Sequence, residues 1–323
     1  MKYLVTGGAG FIGSNIVKEL LKRGKFVRVL DNFATGKREN VFEFKNNPNF
    51  ELIEGDLRSF HIVRNAVKGM DYILHQGALP SIPRSINDPI TTNEVNILGT
   101  LNILEAAKEF GVKRVVYASS SSVYGNSEES ASGRSEMLPK TEDMPVQPLS
   151  PYALSKYTGE RYCQIYYKIY RLETVVLRYF NVFGPNQDPT SQYSAVIPKF
   201  VKLMKEDQSP TIYGDGMQSR DFTYVANVVE ANLLACTTKG IAGEVFNIAC
   251  GEKYTVLQLV ESINKILGKS IEPVFEKARV ADVKHSLADI EKAKKMLGFK
   301  VICGFEKGID KTVKLFYRTK NER

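Results

Sequence analysis

No run of some 18 consecutive apolar residues occurs in the 323-residue chain, which excludes an ordinary membrane-spanning helix. Cysteine is scarce. Cys163, Cys236, Cys250 and Cys303 are scattered without C-x-x-C spacing, so neither a disulfide framework nor a zinc ribbon is expected. The three histidines, His61, His75 and His285, form no ligand cluster, and no metal is expected. The opening residues enter a strand instead of a signal peptide, so a cytoplasmic location is the expectation. Internal repeats and low-complexity tracts are lacking. Any redox chemistry must come from an organic cofactor.

The apolar share of 43% and charged share of 25% are those of a globular chain, and the length suggests about two domains. The net charge of +8 does not indicate nucleic acid, because basic and acidic residues alternate along the chain. Its most basic stretch (Lys307, Lys311, Lys314, Arg318, Lys320, Arg323) has the spacing of a solvated helix face. A positive field serves an anionic small substrate equally well.

The first 31 residues organise the rest. An apolar strand at 3–5 runs into TGGAGFIG, in which Gly7, Gly10 and Gly13 have G-x-x-G-x-x-G spacing. Such glycines make a tight turn, let the backbone approach a pyrophosphate and seat a helix against the strand. The helix-start amides at Phe11 and Ile12 then face the phosphates. Ile12, Ile16 and Leu20 recur at helical spacing, and residues 26–30 read as a buried strand. Asp31 closes this unit. A carboxylate there accepts hydrogen bonds from the adenosine ribose and repels a 2′-phosphate, favouring NAD over NADP.

Strand and helix signals alternate to about residue 180, which predicts an α/β chain with a parallel sheet covered on both faces. Asp56, at the end of a strand over 50–53, lies either beside the adenine position or at the N-cap of a helix over 59–67. Small residues after the strand at 71–75, in Gln76-Gly77-Ala78, let a cofactor lie close. Residues 79–90 read as a proline-punctuated loop whose polar members are Ser81, Arg84 and Ser85, followed by one long helix over 92–110. Residues 126–149 read as a surface loop over the site. Beyond about 180 the elements shorten, as suits a substrate-binding part, and 245–248 can return to the sheet.

Tyr152 and Lys156 stand four apart near the start of a helix over 151–170 and share one face. An ordinary tyrosine, with a pKa of about 10, is a poor base. An adjacent ammonium and a positive nicotinamide ring favour the phenolate, making Tyr152 a candidate general acid and base. The run 119–125, SSSSVYG, follows a strand over 114–118, where ligands meet such sheets. A serine hydroxyl there can bond the reacting oxygen; most of the four are scaffold.

With these motifs, the chain resembles the extended short-chain dehydrogenase/reductases, and among them the UDP-sugar 4-epimerases. The similarity runs through TGGAGFIG, Asp31-Asn32, Gly55-Asp56-Leu57, HQGA at 75–78, SSSSVYG, PYALSK, RYFNVFGP at 178–185, QSRDF at 218–222 and RVAD at 279–282. Gly77 stands where the family more often has alanine. The resemblance implies a doubly wound parallel Rossmann sheet with a smaller C-terminal α/β substrate-binding domain. Residues 1–180 would hold NAD and 181–323 the UDP-sugar, with part of about 222–250 returning to the sheet.

Carried over position by position, the resemblance implies that Tyr152 is the base and that Lys156 holds the nicotinamide ribose. Ser120 contacts the sugar O4, with Ser81, Ser121 and Ser122 also on the substrate side. Gly7, Gly10, Phe11, Ile12, Gly13, Asp31, Asn32, Asp56, Leu57 and Gln76 hold the cofactor. Asn181 faces the diphosphate, Arg220 and Arg279 neutralise it, and Asp282 binds the nucleoside. Serines before V-Y-G, where the dehydratases carry acids, argue against water elimination. A homodimer through the helices near 92–110 and 151–170 is also implied.

The same resemblance places a gate near the sugar C2 on Ser286, small enough to admit an N-acetyl group, and the DVKHSLAD and SIPRS segments match the acetylhexosamine branch. The expected activity is therefore UDP-N-acetylglucosamine 4-epimerase, acting also on UDP-glucose and UDP-galactose. Read by itself, Ser286 is a helix cap ahead of 287–297. The rivals are a UDP-glucuronate or UDP-glucose-only 4-epimerase, a net dehydrogenase, and a non-catalytic nucleotide-sensing protein on the same fold.

Overall fold

The computed structural model describes residues 1–125, 138–188, 196–277 and 284–318. Its central sheet has strands β1 (Lys2–Thr6), β2 (Phe26–Asp31), β3 (Phe50–Glu54), β4 (Tyr72–His75), β5 (Arg114–Ser120), β6 (Thr174–Tyr179) and β7 (Val245–Ile248). They lie in the order 7-6-5-4-1-2-3, and every neighbouring pair is parallel. This is the doubly wound α/β fold expected from the alternation.

The longer helices are α1 (Phe11–Lys22), α2 (Phe60–Val67), α3 (Gly99–Glu109), α4 (Pro151–Tyr170), α5 (Val196–Lys205), α6 (Val225–Thr237), α7 (Val256–Leu267) and α8 (Phe305–Arg318). Alternation along β1 sends Tyr3 and Val5 into one core with α1 and α6, and Leu4 into the other with α2, α3 and α4. Because both faces are covered, central strands are buried along their length: all six residues of β6 are buried.

The strand order reverses between β1 and β4, the place where open α/β sheets form a ligand crevice at their carboxyl ends. The remainder builds a third core from Phe183, Phe222, Tyr224, Ile263 and Phe305. Short strands tie it together. Ser219–Arg220 pairs with Tyr254–Thr255 on one side and His285–Ser286 on the other. Thr255 and Gln258 form a capping box at the start of α7.

Two expectations are corrected. The segment 79–90 is not all loop: Ile82–Asn87 is helical, because Pro83 falls in its first turn, where no N–H partner is lost, and the Ser81 hydroxyl accepts from Arg84 N–H. The long helix over 92–110 starts earlier, at Pro89, and carries a π-turn within it. Pro89–Asn93 is followed by a π-turn, Glu94–Leu98, before α3. That bulge turns Asn96 inward, where it bonds Leu79 N–H at 2.7 Å and Ser155 Oγ at 3.0 Å.

Candidate functional site

A cleft of about 660 Å³ opens at the reversal point. All the residues expected to hold the cofactor line it: Gly7, Gly10, Phe11, Ile12, Gly13, Asp31, Asn32, Asp56, Leu57, Gln76 and Lys156. Gly7, at φ 65°, lies so close to the next strand end that a Cβ there would sit 2.7 Å from Gly77 Cα. A Cβ on Gly13 would run into the Gly7 carbonyl oxygen and lie 2.8 Å from Gly8 Cα. This turn is a cradle that side chains would fill, and it fits the pyrophosphate of NAD.

Asp31 accepts Ala9 N–H at 2.9 Å and Phe33 N–H at 2.8 Å. Burial pushes its carboxyl pKa up, while those amides pull it down. Asp56 does not cap α2, whose N-cap position is Ser59. It bonds Arg58 and, at 2.9 Å, Asn32 Nδ2, and Arg58 holds its pKa at about 2. Its fixed negative charge therefore faces the cleft beside Asn32.

Tyr152 and Lys156, one turn apart on α4, line the inner end with Ala118. The Ser150 hydroxyl caps α4 by accepting Ala153 N–H, and Pro151 pre-sets its first turn. Lys156 Nζ donates to Ala118 O at 2.8 Å and sits over the Tyr117 ring; burial brings its pKa down to about 8. Burial raises the Tyr152 phenol, and the hydrogen bond with Ser120 lowers it. In the chain itself burial is the largest influence on this phenol.

The serine run divides by role. Ser120 faces Tyr152. Ser119 donates to Glu160, which is locked to Arg178 by bonds of 2.9 and 2.8 Å. Arg178 donates to Tyr124 OH at 2.8 Å, and Tyr124 donates to Asn247 at 2.7 Å. The Y of V-Y-G and the R of R-Y-F-N are therefore buried supports behind the site. Ser122 Oγ is buried and unpartnered.

Of the substrate residues expected from resemblance, Ser81 lines the cleft at φ 101°, a strained backbone for a non-glycine residue. Asn181 does not: its amide donates to Asp221 O at 3.2 Å. Arg220 donates to Ser219 O and Lys284 O, and lies directly across from Ser286 in paired strands. Ser286 is a strand residue, so the helix-cap reading is wrong; Asp289 accepts Glu291 N–H at the following turn. Arg279 and Asp282 lie outside the described residues, as does 126–137 of the expected surface loop.

Sequence reading missed several cleft residues. Thr91 and Val95 arrive on the π-turn side, and Gln187 and Asp188 from the segment after β6. Tyr179 sits at the carboxyl end of β6, a signal that strand position alone carries. Asp221 was passed over too. Its buried carboxylate gathers Cys250 N–H at 2.9 Å, Gly251 N–H at 3.0 Å and Ala288 N–H at 3.3 Å, and burial raises its pKa to about 6.

Comparison with known proteins agrees with this geometry. Residues 3–249 match the model of the NAD dependent epimerase/dehydratase family. The UDP-glucose 4-epimerase of Mycolicibacterium smegmatis is 35% identical over 324 residues, all of both chains. The solved UDP-N-acetylglucosamine 4-epimerase of Methanobrevibacter ruminantium, in complex with UDP-N-acetylmuramic acid, is 39% identical over 98% of each chain, with a TM-score of 0.92. The UDP-glucuronic acid 4-epimerase of Bacillus cereus, solved with UDP-glucuronic acid and NAD, is 33% identical over 99% of this chain and 100% of that one, with a TM-score of 0.89. The chain belongs to the NAD-dependent epimerase/dehydratase family of extended short-chain dehydrogenase/reductases, among its UDP-sugar 4-epimerases.

Proposed function

We propose that the protein is a UDP-N-acetylglucosamine 4-epimerase that interconverts the N-acetylglucosamine and N-acetylgalactosamine forms and also accepts UDP-glucose and UDP-galactose. The observation that carries this reading is Ser286, a small side chain held across from Arg220 in the short sheet. A residue of that size leaves room for an acetamide beside an arginine suited to a diphosphate. The M. ruminantium structure adds a relative that binds an N-acetylated UDP-sugar.

In this reading Tyr152 takes the proton of the sugar 4-hydroxyl and later returns it. Ser120 holds the same oxygen as it gains and loses carbonyl character. Lys156, fixed by Ala118 O, presents its ammonium to the nicotinamide ribose and keeps the phenol's surroundings positive. Bound NAD supplies the acceptor, and then the donor, of the C4 hydride. Arg220, Arg279 and Asp282 grip the UDP end, leaving the 4-keto sugar free to turn about its phosphate linkage.

Incubation of the purified protein with UDP-N-acetylglucosamine, without added NAD, tests the proposal: the galacto-isomer should form. No isomer with or without NAD would sink it. Turnover of UDP-glucuronate in place of the acetylated sugar would favour the uronate reading.

The homodimer implied by resemblance is proposed on the same helices. Ile90, Leu154 and Ile169 are 73%, 52% and 65% exposed, an apolar strip that water would otherwise cover. Light scattering at micromolar concentration tests it; a monomer would refute it.

A further inference from the structure

The chain just after β6 is held in an unusual path. Asn181 (φ 34°), Gly184 (φ 144°) and Asn186 (φ 68°) all adopt positive φ. Non-glycine residues keep such backbones only where the surroundings over-determine them. Here the nucleotide-binding half does so at two places around the glycine turn. Asn15 Nδ2, in α1 just past Gly13, donates to Pro185 O at 3.0 Å. Asn186 Nδ2 donates to Ser14 Oγ at 3.0 Å. Beyond Asp31, Lys37, whose N–H bonds Ala9 O in the glycine turn at 3.0 Å, pairs its Nζ with Asp188 at 3.0 Å.

Between these ties, Gln187 and Asp188 line the cleft. Gln187 Nε2 donates back to Val182 O at 3.3 Å, but its Oε1 is buried without a partner. A buried acceptor left unmade is costly unless a donor from a ligand meets it.

We propose that residues 185–188 form a strap that retains the dinucleotide, fastened around the glycine turn by Asn15, Ser14 and the Lys37–Asp188 pair, with Gln187 Oε1 accepting a donor from the molecule beneath. The proposal rests on the dinucleotide reading of the cleft and adds to it a reason for slow release. An epimerase returns its hydride to the sugar it came from, so a cofactor that leaves in mid-cycle strands a keto sugar. The Lys37 and Asp188 side chains are 47% and 31% exposed, so the pair is salt-sensitive and of modest strength.

The test is release of radiolabelled NAD from the intact protein, chased with excess unlabelled NAD. Lys37→Met and Asp188→Asn should each release it about two- to five-fold faster than the parent, the range of an exposed ion pair. The charge reversal Lys37→Asp with Asp188→Lys should restore slow release. High salt should speed release from the parent and leave the single variants unchanged, a readout that general loosening would not give. Gln187→Met should also release NAD faster. A parent that holds NAD while the single variants let go no faster, or whose release ignores salt, overturns the strap alone. A parent that neither carries nor binds NAD overturns the cleft reading and the strap with it.

Discussion

Lys156 spends one of its three ammonium protons on the carbonyl oxygen of Ala118, 2.8 Å away, in a buried setting near the end of β5. This contact fixes the lysine in place and leaves its charge poorly solvated. Its pKa falls to about 8, chiefly through burial. An unfolded lysine titrates near 10.4. Between about pH 8 and 10.5 the unfolded chain therefore binds more protons, and stability rises with pH. Below about pH 8 both states are charged and the full cost, on the order of 3 kcal/mol, is present. Urea midpoints at pH 7.5, 8.5 and 9.5 should climb for the parent relative to Lys156→Met. Parallel pH profiles would show that the lysine is not depressed.

Tyr152→Phe removes the acid and base while keeping the ring. Turnover should drop by about 10²- to 10⁴-fold. UDP-sugar affinity, read by calorimetry, should change little, because the phenol is needed for proton transfer more than for grip. An unaltered rate would assign the base elsewhere.

Ser286→Tyr should abolish turnover of UDP-N-acetylglucosamine and spare UDP-galactose. Parallel assays of the two substrates give the answer directly. Equal losses on both would mean that the position does not gate the acetyl group.

Arg178 and Glu160, with side chains only 5% and 2% exposed, hold the serine run from behind. Arg178→Met leaves a buried carboxylate alone and should cost about 3–5 kcal/mol. The double change with Glu160→Gln should recover part of that loss. Urea unfolding of the single and double variants measures the coupling; additive losses would show that the two groups do not stabilise one another.

Two glycines of the cleft should behave differently. At Gly13 an added methyl meets backbone, the Gly7 carbonyl and Gly8 Cα, which cannot yield without deforming the turn. At Gly77 the tightest contact is Leu57 Cδ1 at 2.8 Å, the movable end of a side chain, with Thr6 Oγ1 at 3.1 Å and one backbone atom, Gly7 N, at 3.2 Å. Gly77→Ala should keep bound NAD and cost about 1–3 kcal/mol, whereas Gly13→Ala should purify without it. The NAD released on denaturing each protein settles the comparison.

Much of the cleft was legible because its signals are local. A glycine turn between strand and helix, an acid at the next strand end, and a tyrosine and lysine one helical turn apart each declare themselves within a few residues. The sheet followed from the alternation, including the late return of 245–248. What escaped notice depends on partners distant in sequence. Ser81 and Pro83 read as loop residues, yet together they start a helix. Asp221 gathers the amides of Cys250, Gly251 and Ala288, partners that its neighbours in QSRDF do not reveal. Burial at Tyr152, the largest influence on its phenol, is likewise invisible in a four-residue spacing.

The seventh strand has a consequence for how the molecule comes into being. β7 pairs with β6 only after α5, α6 and the short strands between them have been made. Until residue 248 emerges from the ribosome, the nascent chain carries Thr174–Tyr179 as a bare parallel edge with Val175, Val176 and Leu177 at its centre, the kind of surface that recruits stray strands. The dinucleotide half thus cannot mature ahead of the segment that shapes the substrate side. A chain cut after Tyr179 should collect in inclusion bodies, while one carried past Ile248 has its sheet edge closed.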